Sequence, residues 1–190
     1  MLQSNFSALI DDRPEENLFR IHRRIYTDQD VFDAEMERIF EQSWTYVCHE
    51  SQIPKPGDYY SVKLGREPVL INRRDDGSVG GLLNACAHRG ALLNPTQRGN
   101  ARILVCRYHG WSFAADDGRC VKIKDPFGED PACYALRKVA RLESYKGFVF
   151  ATVNEAAPTL EEHLGAASTI VDMLAEQSDQ GMEVLPGVSS

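Results

Sequence analysis

Two short segments of the chain each hold one cysteine and one histidine. One residue separates Cys86 from His88, and two residues separate Cys106 from His109. The 17 residues between His88 and Cys106 are enough for two or three short strands joined by turns, so the two pairs are expected on separate loops. Thiolate and imidazole groups are common ligands of transition metals. The pattern therefore predicts a fold that brings two loops together at one metal site.

Two kinds of metal site use two cysteines and two histidines. In a [2Fe–2S] cluster with mixed ligands, the cysteines hold one iron and the histidines hold the other. A structural zinc ion can take the same four ligands, but zinc fingers usually pair cysteine with cysteine and histidine with histidine. A Cys–His nucleophilic pair would need one residue of each type and would leave the duplicated pattern unexplained. The mixed pairs favour the iron–sulfur cluster over the zinc site.

Length and composition indicate one globular domain. A chain of 190 residues with 43% hydrophobic residues can form a full core. Its formal net charge of −7 argues against nucleic acid and anionic membranes as partners. It has no apolar run of about 18 residues that could cross a membrane. The remaining cysteines, Cys48, Cys120 and Cys133, follow no pattern and are expected as reduced thiols in a cytoplasmic protein.

The middle of the chain has the pattern of short β-strands. Apolar residues alternate with turn signals, and hairpins are expected around Asp116-Asp117-Gly118 and Lys146-Gly147. The predicted strands are Tyr59–Leu64, Val69–Asn72, Gly81–Ala85, Ile103–Val105, Trp111–Ala115, Cys120–Ile123, Arg137–Tyr145 and Phe148–Val153. We therefore expect a mainly β fold, an antiparallel β-sandwich with both metal-binding loops at one end.

One helix is expected on each side of this sandwich. The first spans residues 28–43, with Thr27 as its N-cap. The second follows Thr159, which forms a capping box with Glu162, and runs to about residue 177. The residues predicted to face the core are Phe32, Met36, Ile39 and Phe40 in the first helix, and Leu164, Ile170, Val171 and Leu174 in the second.

The two loop segments resemble the Rieske pattern, including the Arg-Gly that follows His88 and the Gly-Trp that follows His109. Taken as a whole, the chain resembles the N-terminal part of the large (α) subunit of aromatic-ring-hydroxylating dioxygenases, most strongly the benzoate, toluate and anthranilate group. The stretches that carry this resemblance are residues 49–54, 57–60, 84–90, 106–111 and 139–147, which read HESQIP, GDYY, NACAHRG, CRYHGW and VARLESYKG.

The resemblance implies roles for the loop residues, and no catalytic residue is expected among them. Cys86 and Cys106 would hold the inner iron of a Rieske [2Fe–2S] cluster, and His88 and His109 the outer iron, which takes the electron. The neighbours expected to support the cluster are Arg89, Gly90, Tyr108, Gly110 and Trp111. The glycines would let the backbone approach the cluster, and the aromatic residues would cover it. Arg89 would contact either a partner's carboxylate or its own loop.

Respiratory Rieske proteins differ from this chain in both loops. They carry one more cysteine in each loop, and those two cysteines form a disulfide. The corresponding residues here are Ala91 and Tyr108, so that disulfide is not expected. Trp111 stands where that family has a serine, which removes a hydroxyl donor to the cluster sulfurs. Fewer donors stabilise the reduced state less, so a reduction potential near the low end of the Rieske range, about −150 mV, is expected.

The dioxygenase resemblance also implies a domain order and a set of partners. It divides the chain into an N-terminal arm and helix (1–45), a Rieske [2Fe–2S] domain (46–154), and a helix with the start of a linker (155–190). The implied partners are an NADH-dependent flavin reductase, with or without a ferredoxin domain, and the catalytic domain of a neighbouring α subunit. The resemblance also allows a small β subunit.

One part of the family pattern is missing. The catalytic domain of these dioxygenases holds a mononuclear Fe(II) through two histidines and one carboxylate. His163 is the only histidine after His109, so that iron is expected only in a missing catalytic domain. The chain is accordingly expected to be a truncated fragment that transfers electrons to such an iron. A free-standing Rieske ferredoxin and a zinc-stabilised interaction module stay open as alternatives.

Overall fold

Antiparallel strands form the core of the computed structural model, which describes residues 6–124, 128 and 130–185. Apolar and β-branched residues fill these segments, and Gly, Pro and Asp lie at the turns between them. The strands in chain order are β1 (Ile10–Arg13), β2 (Leu18–Ile21), β3 (Thr45–His49), β4 (Asp58–Leu64), β5 (Glu67–Arg73), β6 (Val79–Leu83), β7 (Arg98–Asn100), β8 (Ile103–Val105), β9 (Ser112–Ala114), β10 (Cys120–Lys122), β11 (Arg141–Tyr145) and β12 (Phe148–Thr152).

Three sheets pack around two cores. The central sheet has the order β6-β5-β4-β7, and the outer sheets have the orders β10-β9-β8 and β11-β12-β3, while β1 and β2 form a separate hairpin. Leu70 on β5 packs into the core shared with β8–β10, whereas its neighbours Val69 and Ile71 pack into the core shared with β3 and β12. This alternation buries both faces of β5. The predicted mainly β, sandwich-type fold is therefore confirmed.

The strand predictions agree with the structure near the loops and differ elsewhere. Predicted and observed strand ends agree within two residues, except that β11 begins at Arg141 instead of Arg137. The first residues of the predicted strand form hydrogen bonds with β6 instead. The Leu83 amide donates to the Arg137 carbonyl at 2.8 Å, and the Val139 amide donates to the Gly81 carbonyl at 3.0 Å. The strands β1, β2, β3 and β7 were not predicted.

The N-terminal helix is shorter than predicted and has a different cap. Helix α1 spans Gln29–Glu35, and a π-helical turn at Met36–Phe40 follows it. Asp28 is the N-cap, because its carboxylate accepts a hydrogen bond from the Asp30 amide at 3.0 Å. The prediction of Thr27 as the cap was wrong, since an aspartate one residue later supplies the same acceptor.

The C-terminal helix has the predicted cap but is interrupted. Thr159 and Glu162 form the capping box, with the Glu162 amide donating to the threonine hydroxyl at 3.1 Å and the Thr159 amide donating to the glutamate carboxylate at 2.8 Å. Helix α2 spans Leu160–Leu164 and ends at Gly165, whose φ is +46°. Helix α3 then spans Ala167–Ala175. The prediction of one continuous helix to about residue 177 is therefore wrong.

The apolar faces predicted for these helices are mostly exposed. Phe32, Ile39 and Phe40 are exposed at the N-terminal side, and Ile170 and Leu174 are exposed at the C-terminal side. The predictions assumed continuous α-helices, but the π-helical turn and the break before α3 rotate the later side chains away from a common face. No helix within residues 6–124, 128 and 130–185 has the length and apolarity to cross a membrane.

Candidate metal centre

The first cysteine–histidine pair lies on a tight loop that follows β6. The loop closes on itself, because the Cys86 amide donates to the Ala91 carbonyl at 2.8 Å and the Gly90 amide donates back to the Cys86 carbonyl at 2.8 Å. Gly90 has a φ of +72°, a conformation that residues with a Cβ adopt at a cost. Glycine therefore lets the chain turn within five residues.

The second pair lies on a loop of the same form that follows β8. The Cys106 amide donates to the Trp111 carbonyl at 2.8 Å, and the Gly110 amide donates to the Cys106 carbonyl at 2.9 Å. Gly110 also has a φ of +72°. Both loops thus place a glycine four residues after the cysteine, although the histidine is at the second position in one and the third in the other. The two loops are matched in backbone geometry.

The structure places the four predicted ligands on these two loops at different depths. Cys86 and Cys106 are buried, with exposed fractions of 4% and 2%. His88 is exposed and His109 is half-buried, and their ring centroids lie 4.6 Å apart with an interplanar angle of 67°. A site of this form has thiols on its inner side and imidazoles on the side that faces solvent. It fits a two-iron cluster with an inner iron on cysteine and an outer iron on histidine.

A two-iron cluster and a single zinc ion place different demands on these residues. Structural zinc needs four ligands around one centre. A cluster bridged by inorganic sulfide needs only two protein ligands per iron. Two buried thiols and two imidazoles nearer the solvent fit one iron on each pair of like ligands.

The environment of Cys86 disfavours the charged form of its thiol. Burial raises the pKa of the Cys86 thiol above its ordinary value, and the neighbouring Cys106 thiol raises it further, while the backbone amides of His88 and Arg89 act in the opposite direction. Thiolates are the form that binds metal, so metal binding must displace the proton of Cys86. A buried pair of thiols is therefore suited to a cation that neutralises two negative charges.

A buried asparagine anchors the first loop, and its role was not predicted from the sequence. Asn84 is 1% exposed and precedes the loop. Its side-chain amide donates to the Asn94 carbonyl at 2.7 Å and to the Ser61 hydroxyl at 3.1 Å, while its carbonyl oxygen accepts from the Asn94 amide at 2.9 Å. These bonds fix the two ends of the first loop to β4. A polar residue at the end of the apolar strand Val79–Leu83 was the available signal.

The predicted aromatic neighbours contact the histidines. The Trp111 indole stacks on the His88 ring with centroids 4.7 Å apart and an interplanar angle of 8°. Tyr134, which was not predicted, makes a T-shaped contact with Trp111 at a centroid distance of 4.9 Å. Tyr108 lies against His109 at 4.1 Å, and the Arg89 guanidinium lies 5.7 Å from the centre of the Tyr108 ring. All nine predicted site residues lie in the two loops. The side chains of His88, Arg89, Tyr108, His109 and Trp111 form a connected set of contacts.

The remaining cysteines are free thiols in three different environments. Cys48 and Cys120 are buried, and Cys133 is exposed. Burial raises the pKa of the Cys48 thiol to about 12, so this thiol is protonated at neutral pH. No disulfide joins any of the five cysteines, all of which lie in the described residues.

His49 is a buried histidine outside the metal centre. It is 6% exposed, and its Nδ1 accepts a hydrogen bond from the Ser51 amide at 3.2 Å. Its Nε2 is buried without a hydrogen-bond partner among the described residues. Burial lowers the pKa of His49 below its ordinary value of 6.5, and the Glu50 carboxylate offsets only part of this effect. The folded protein therefore keeps this ring neutral.

We expect the free energy of unfolding to fall as the pH drops below about 6.5. The pKa of His49 is lower in the folded protein than in the unfolded chain, so the unfolded chain binds the proton first. The contribution of His49 to the free energy of unfolding is complete above the pKa that this residue has in the unfolded chain. Below that pKa the contribution is lost, by up to about 1.4 kcal/mol per pH unit. The free energy of unfolding, measured with urea at about pH 7.5 and about pH 5.5, should fall less between these two pH values in His49→Gln than in the unmodified chain. Equal losses would contradict this prediction.

Comparison with protein families identifies the region that contains both loops. A family model described as the Rieske [2Fe-2S] domain matches residues 43–144. This range runs from β3 to all but the last residue of β11 and includes both cysteine–histidine loops and the buried Asn84. The match thus includes the elements that position the four predicted ligands.

Curated relatives extend the similarity to nearly the whole chain. The α subunit of toluate 1,2-dioxygenase from Pseudomonas putida is 41% identical over 190 residues, which cover 96% of this chain and 42% of the relative. The large subunit of anthranilate 1,2-dioxygenase from Acinetobacter baylyi is 40% identical, over 99% of this chain and 41% of the relative. The chain thus spans about two fifths of the length of these relatives.

Solved structures show the same fold. Naphthalene 1,2-dioxygenase from Rhodococcus sp. matches 87% of this chain and 39% of its own, with a TM-score of 0.80 and 33% identity. A quaternary ammonium Rieske monooxygenase matches 80% of this chain and 42% of its own, with a TM-score of 0.71 and 30% identity. Sequence, fold and loop geometry agree on one assignment, and the chain belongs to the Rieske [2Fe-2S] domain family.

Proposed function

We propose that this chain transfers single electrons through a Rieske cluster that Cys86, His88, Cys106 and His109 hold. The observation that carries the proposal is the pair of matched loops, which buries both thiols and brings the two imidazole rings to 4.6 Å from each other on the solvent side. When bound, a [2Fe–2S] group with these ligands supplies one-electron redox chemistry. The chain itself supplies the ligands, excludes water from the cysteine side and exposes the histidine side to a partner.

We further propose a role for each side of the site. Trp111 and the core beneath it keep solvent away from the thiolates, since Trp111 is 5% exposed. His88, which is exposed, and His109, which is half-buried, provide the side from which an electron leaves toward an acceptor. The redox unit comprises residues 46–154, with residues 1–45 and 155–190 as flanking segments.

The acceptor in this proposal is the mononuclear iron of an aromatic-ring dioxygenase. The toluate and anthranilate relatives support this reading, and they also support a small aromatic carboxylate such as benzoate or anthranilate as the substrate of the complete enzyme. The iron would lie outside this chain, in the catalytic domain of a neighbouring α subunit, because His163 is the only histidine after His109. An NADH-dependent flavin reductase would supply the electrons, and a small β subunit would complete the assembly.

The test uses the purified 190-residue chain, a flavin reductase with NADH, and benzoate or anthranilate. Reduction is followed by the loss of visible absorbance, and oxygen uptake is followed with an electrode. We expect rapid reduction without substrate-dependent oxygen uptake. A chain that contains stoichiometric zinc and no iron after growth in iron-rich medium would overturn the ligand assignment. Hydroxylation of the aromatic acid by this chain alone would overturn the assignment of catalysis to another domain.

We expect the midpoint potential of the purified chain to lie near the low end of the Rieske range, about −150 mV. Trp111 stands where a hydroxyl donor lies in respiratory Rieske proteins, and fewer donors to the sulfurs stabilise the reduced state less. Protein-film voltammetry measures this potential directly. A value near the positive end of the range, about +300 mV, would contradict the argument.

A further inference from the structure

We propose that two contacts between the loops form a reciprocal clamp, in which each loop positions the histidine of the other. Trp111 on the second loop stacks on His88 of the first loop. Arg89 on the first loop lies over Tyr108, which in turn packs against His109 of the second loop. This inference rests on the proposed function, because it takes His88 and His109 as metal ligands. Arg89, Tyr108 and Trp111 are positioning residues in this proposal.

The backbone does not join the two loops to each other. The hydrogen bonds from the amides of Cys86 and Gly90 close within the first loop, and those from Cys106 and Gly110 close within the second. No backbone hydrogen bond within the described residues links residues 86–91 to residues 106–111. No disulfide joins the loops either, since Cys86 and Cys106 are free and Ala91 and Tyr108 have no thiols. Side-chain contacts must therefore set the position of one loop relative to the other.

The first contact fixes the ring of His88. An interplanar angle of 8° and a centroid distance of 4.7 Å leave the imidazole flat against the indole. The indole is held in turn, because it is 5% exposed and makes a T-shaped contact with the Tyr134 ring at a centroid distance of 4.9 Å. The His88 ring is therefore held in one plane by a residue of the opposite loop and the core behind it.

The second contact fixes the ring of His109 from the solvent side. Tyr108 is 64% exposed, so the protein core does not hold it in place. Arg89 is the side chain that covers it, with the guanidinium 5.7 Å from the ring centre. Arg89 forms no salt bridge with any residue in the part of the chain that the structure describes. Its charge is thus directed to the tyrosine, which lies 4.1 Å from the His109 ring.

The clamp should act mainly on how long the metal stays bound. Opening the loops exposes the outer iron and its imidazole ligands to solvent, and the two contacts oppose that opening. Removing either contact should therefore speed the release of iron without unfolding the β-sheet core beneath. Each contact is weak by itself, so we expect an increase of about threefold to tenfold in the release rate for each.

The experiment measures iron release from the intact chain into an excess of a ferrous chelator under anaerobic, reducing conditions. Three variants remove the contacts: Arg89→Ala, Tyr108→Leu and Trp111→Leu. Arg107→Ala is the matched control, because Arg107 is an exposed arginine in the same loop region without a salt bridge within the described residues. We expect faster release from the first three and a rate within about twofold of the unmodified chain for the control.

Double variants separate a clamp from a general loss of packing. Arg89→Ala combined with Tyr108→Leu should release iron no faster than Tyr108→Leu alone, because both changes remove one contact. Arg89→Ala combined with Trp111→Leu should release iron faster than either single variant, because these changes remove different contacts. Tyr108→Phe and Trp111→Phe keep a ring at each position and should retain slow release. Histidine nitrogen couplings, measured by electron spin echo, should shift in Trp111→Leu and not in Arg107→Ala.

The outcomes distinguish this inference from the proposed function. An unmodified chain without iron and sulfide would overturn both. An unmodified chain with its cluster, together with equal release rates in Arg89→Ala and Arg107→Ala, would overturn the clamp alone. Multiplicative effects of Arg89→Ala and Tyr108→Leu would also overturn it, since they would show that the two residues act independently. If Trp111→Leu assembles no cluster, the iron release rate of Trp111→Phe is used in its place. Release from Trp111→Phe as fast as release from Tyr108→Leu would then contradict the clamp.

Discussion

Replacing His88 by alanine is expected to give a colourless protein without the roughly two irons and two sulfides per chain of a complete cluster. The outer iron of a Rieske cluster has only two protein ligands, so removing one would leave it with a single imidazole. The neighbouring rings cannot substitute, because Trp111 stacks on His88 and has no donor atom that binds iron. We expect the same result for Cys106→Ala, since alanine has no donor atom and the cysteine side of the site is buried and closed to water as a replacement ligand. Iron and sulfide analysis with the visible spectrum measures both variants.

His163→Ala is the matched control for the ligand variants. This histidine lies at the end of α2, is exposed, and belongs to neither loop. The control should keep its full iron and sulfide content. Full cluster content in His88→Ala, with unchanged spectra, would show that another residue holds the outer iron and would remove the basis of the ligand assignment. Loss of iron from His163→Ala would show that histidine replacement acts through folding instead of ligation.

Replacing Gly147 by alanine is expected to cost about 2–5 kcal/mol in the free energy of unfolding. Gly147 forms the turn between β11 and β12 with a φ of +87°. A Cβ at this position would lie 2.6 Å from Nε2 of His49, too close for any real contact. His49 cannot yield, because it is buried and its ring meets Phe148 edge-on at 5.2 Å. Backbone strain and the steric clash therefore add, and urea unfolding at neutral pH measures the sum.

Gly77→Ala separates these two contributions. Gly77 has nearly the same φ, +85°, but no heavy atom of the described residues, apart from its two chain neighbours, lies within 4 Å of the Cβ that the substitution would add. This control should cost about 1–2 kcal/mol, from backbone strain alone. Equal costs for the two alanine variants would contradict a steric contribution from His49. Recovery of stability in the double variant Gly147→Ala with His49→Ala would support it.

The metal centre could be predicted from the sequence because its information is local. Each loop needs a cysteine, a histidine and a glycine within five residues, and the glycine supplies the φ of +72° that closes the turn. The strands that carry the loops, β6 and β8, also contain apolar residues bounded by turn signals. Local sequence therefore specifies each half of the site. Nothing local specifies how the halves meet.

The contacts between the loops could not be predicted for that reason. The stack of Trp111 on His88 depends on the angle at which two different sheets deliver the two loops. The edge contact from Tyr134 comes from a third segment, after a 3₁₀ turn at Pro131–Cys133. The sequence predicted that Trp111 covers the site, and the structure adds which ring it covers. Long-range geometry of this kind depends on how the sheets pack, which a motif does not encode.

The outer elements were predicted less well because long-range pairing and local irregularity decide them. β3 begins five residues after Phe40, the end of the N-terminal helical segment. It pairs with β12, about a hundred residues later, so no hairpin signal in the sequence marks it as a strand. The π-helical turn at Met36–Phe40 breaks the helical period on which the predicted apolar face depended. Trp44 at the end of that segment is buried and donates to the Pro158 carbonyl at 2.8 Å. The tertiary contact, and not helical periodicity, fixes the chain here.

Electron spin echo spectroscopy of the reduced chain, prepared with isotope-labelled histidine, tests the central claim most directly. Our account predicts couplings from two inequivalent histidine nitrogens, because one ligand, His88, is stacked and exposed while the other, His109, is half-buried. It also predicts that these couplings disappear together with the cluster in His88→Ala. A reduced iron–sulfur signal without any histidine nitrogen coupling would contradict the assignment of His88 and His109 as ligands of the outer iron.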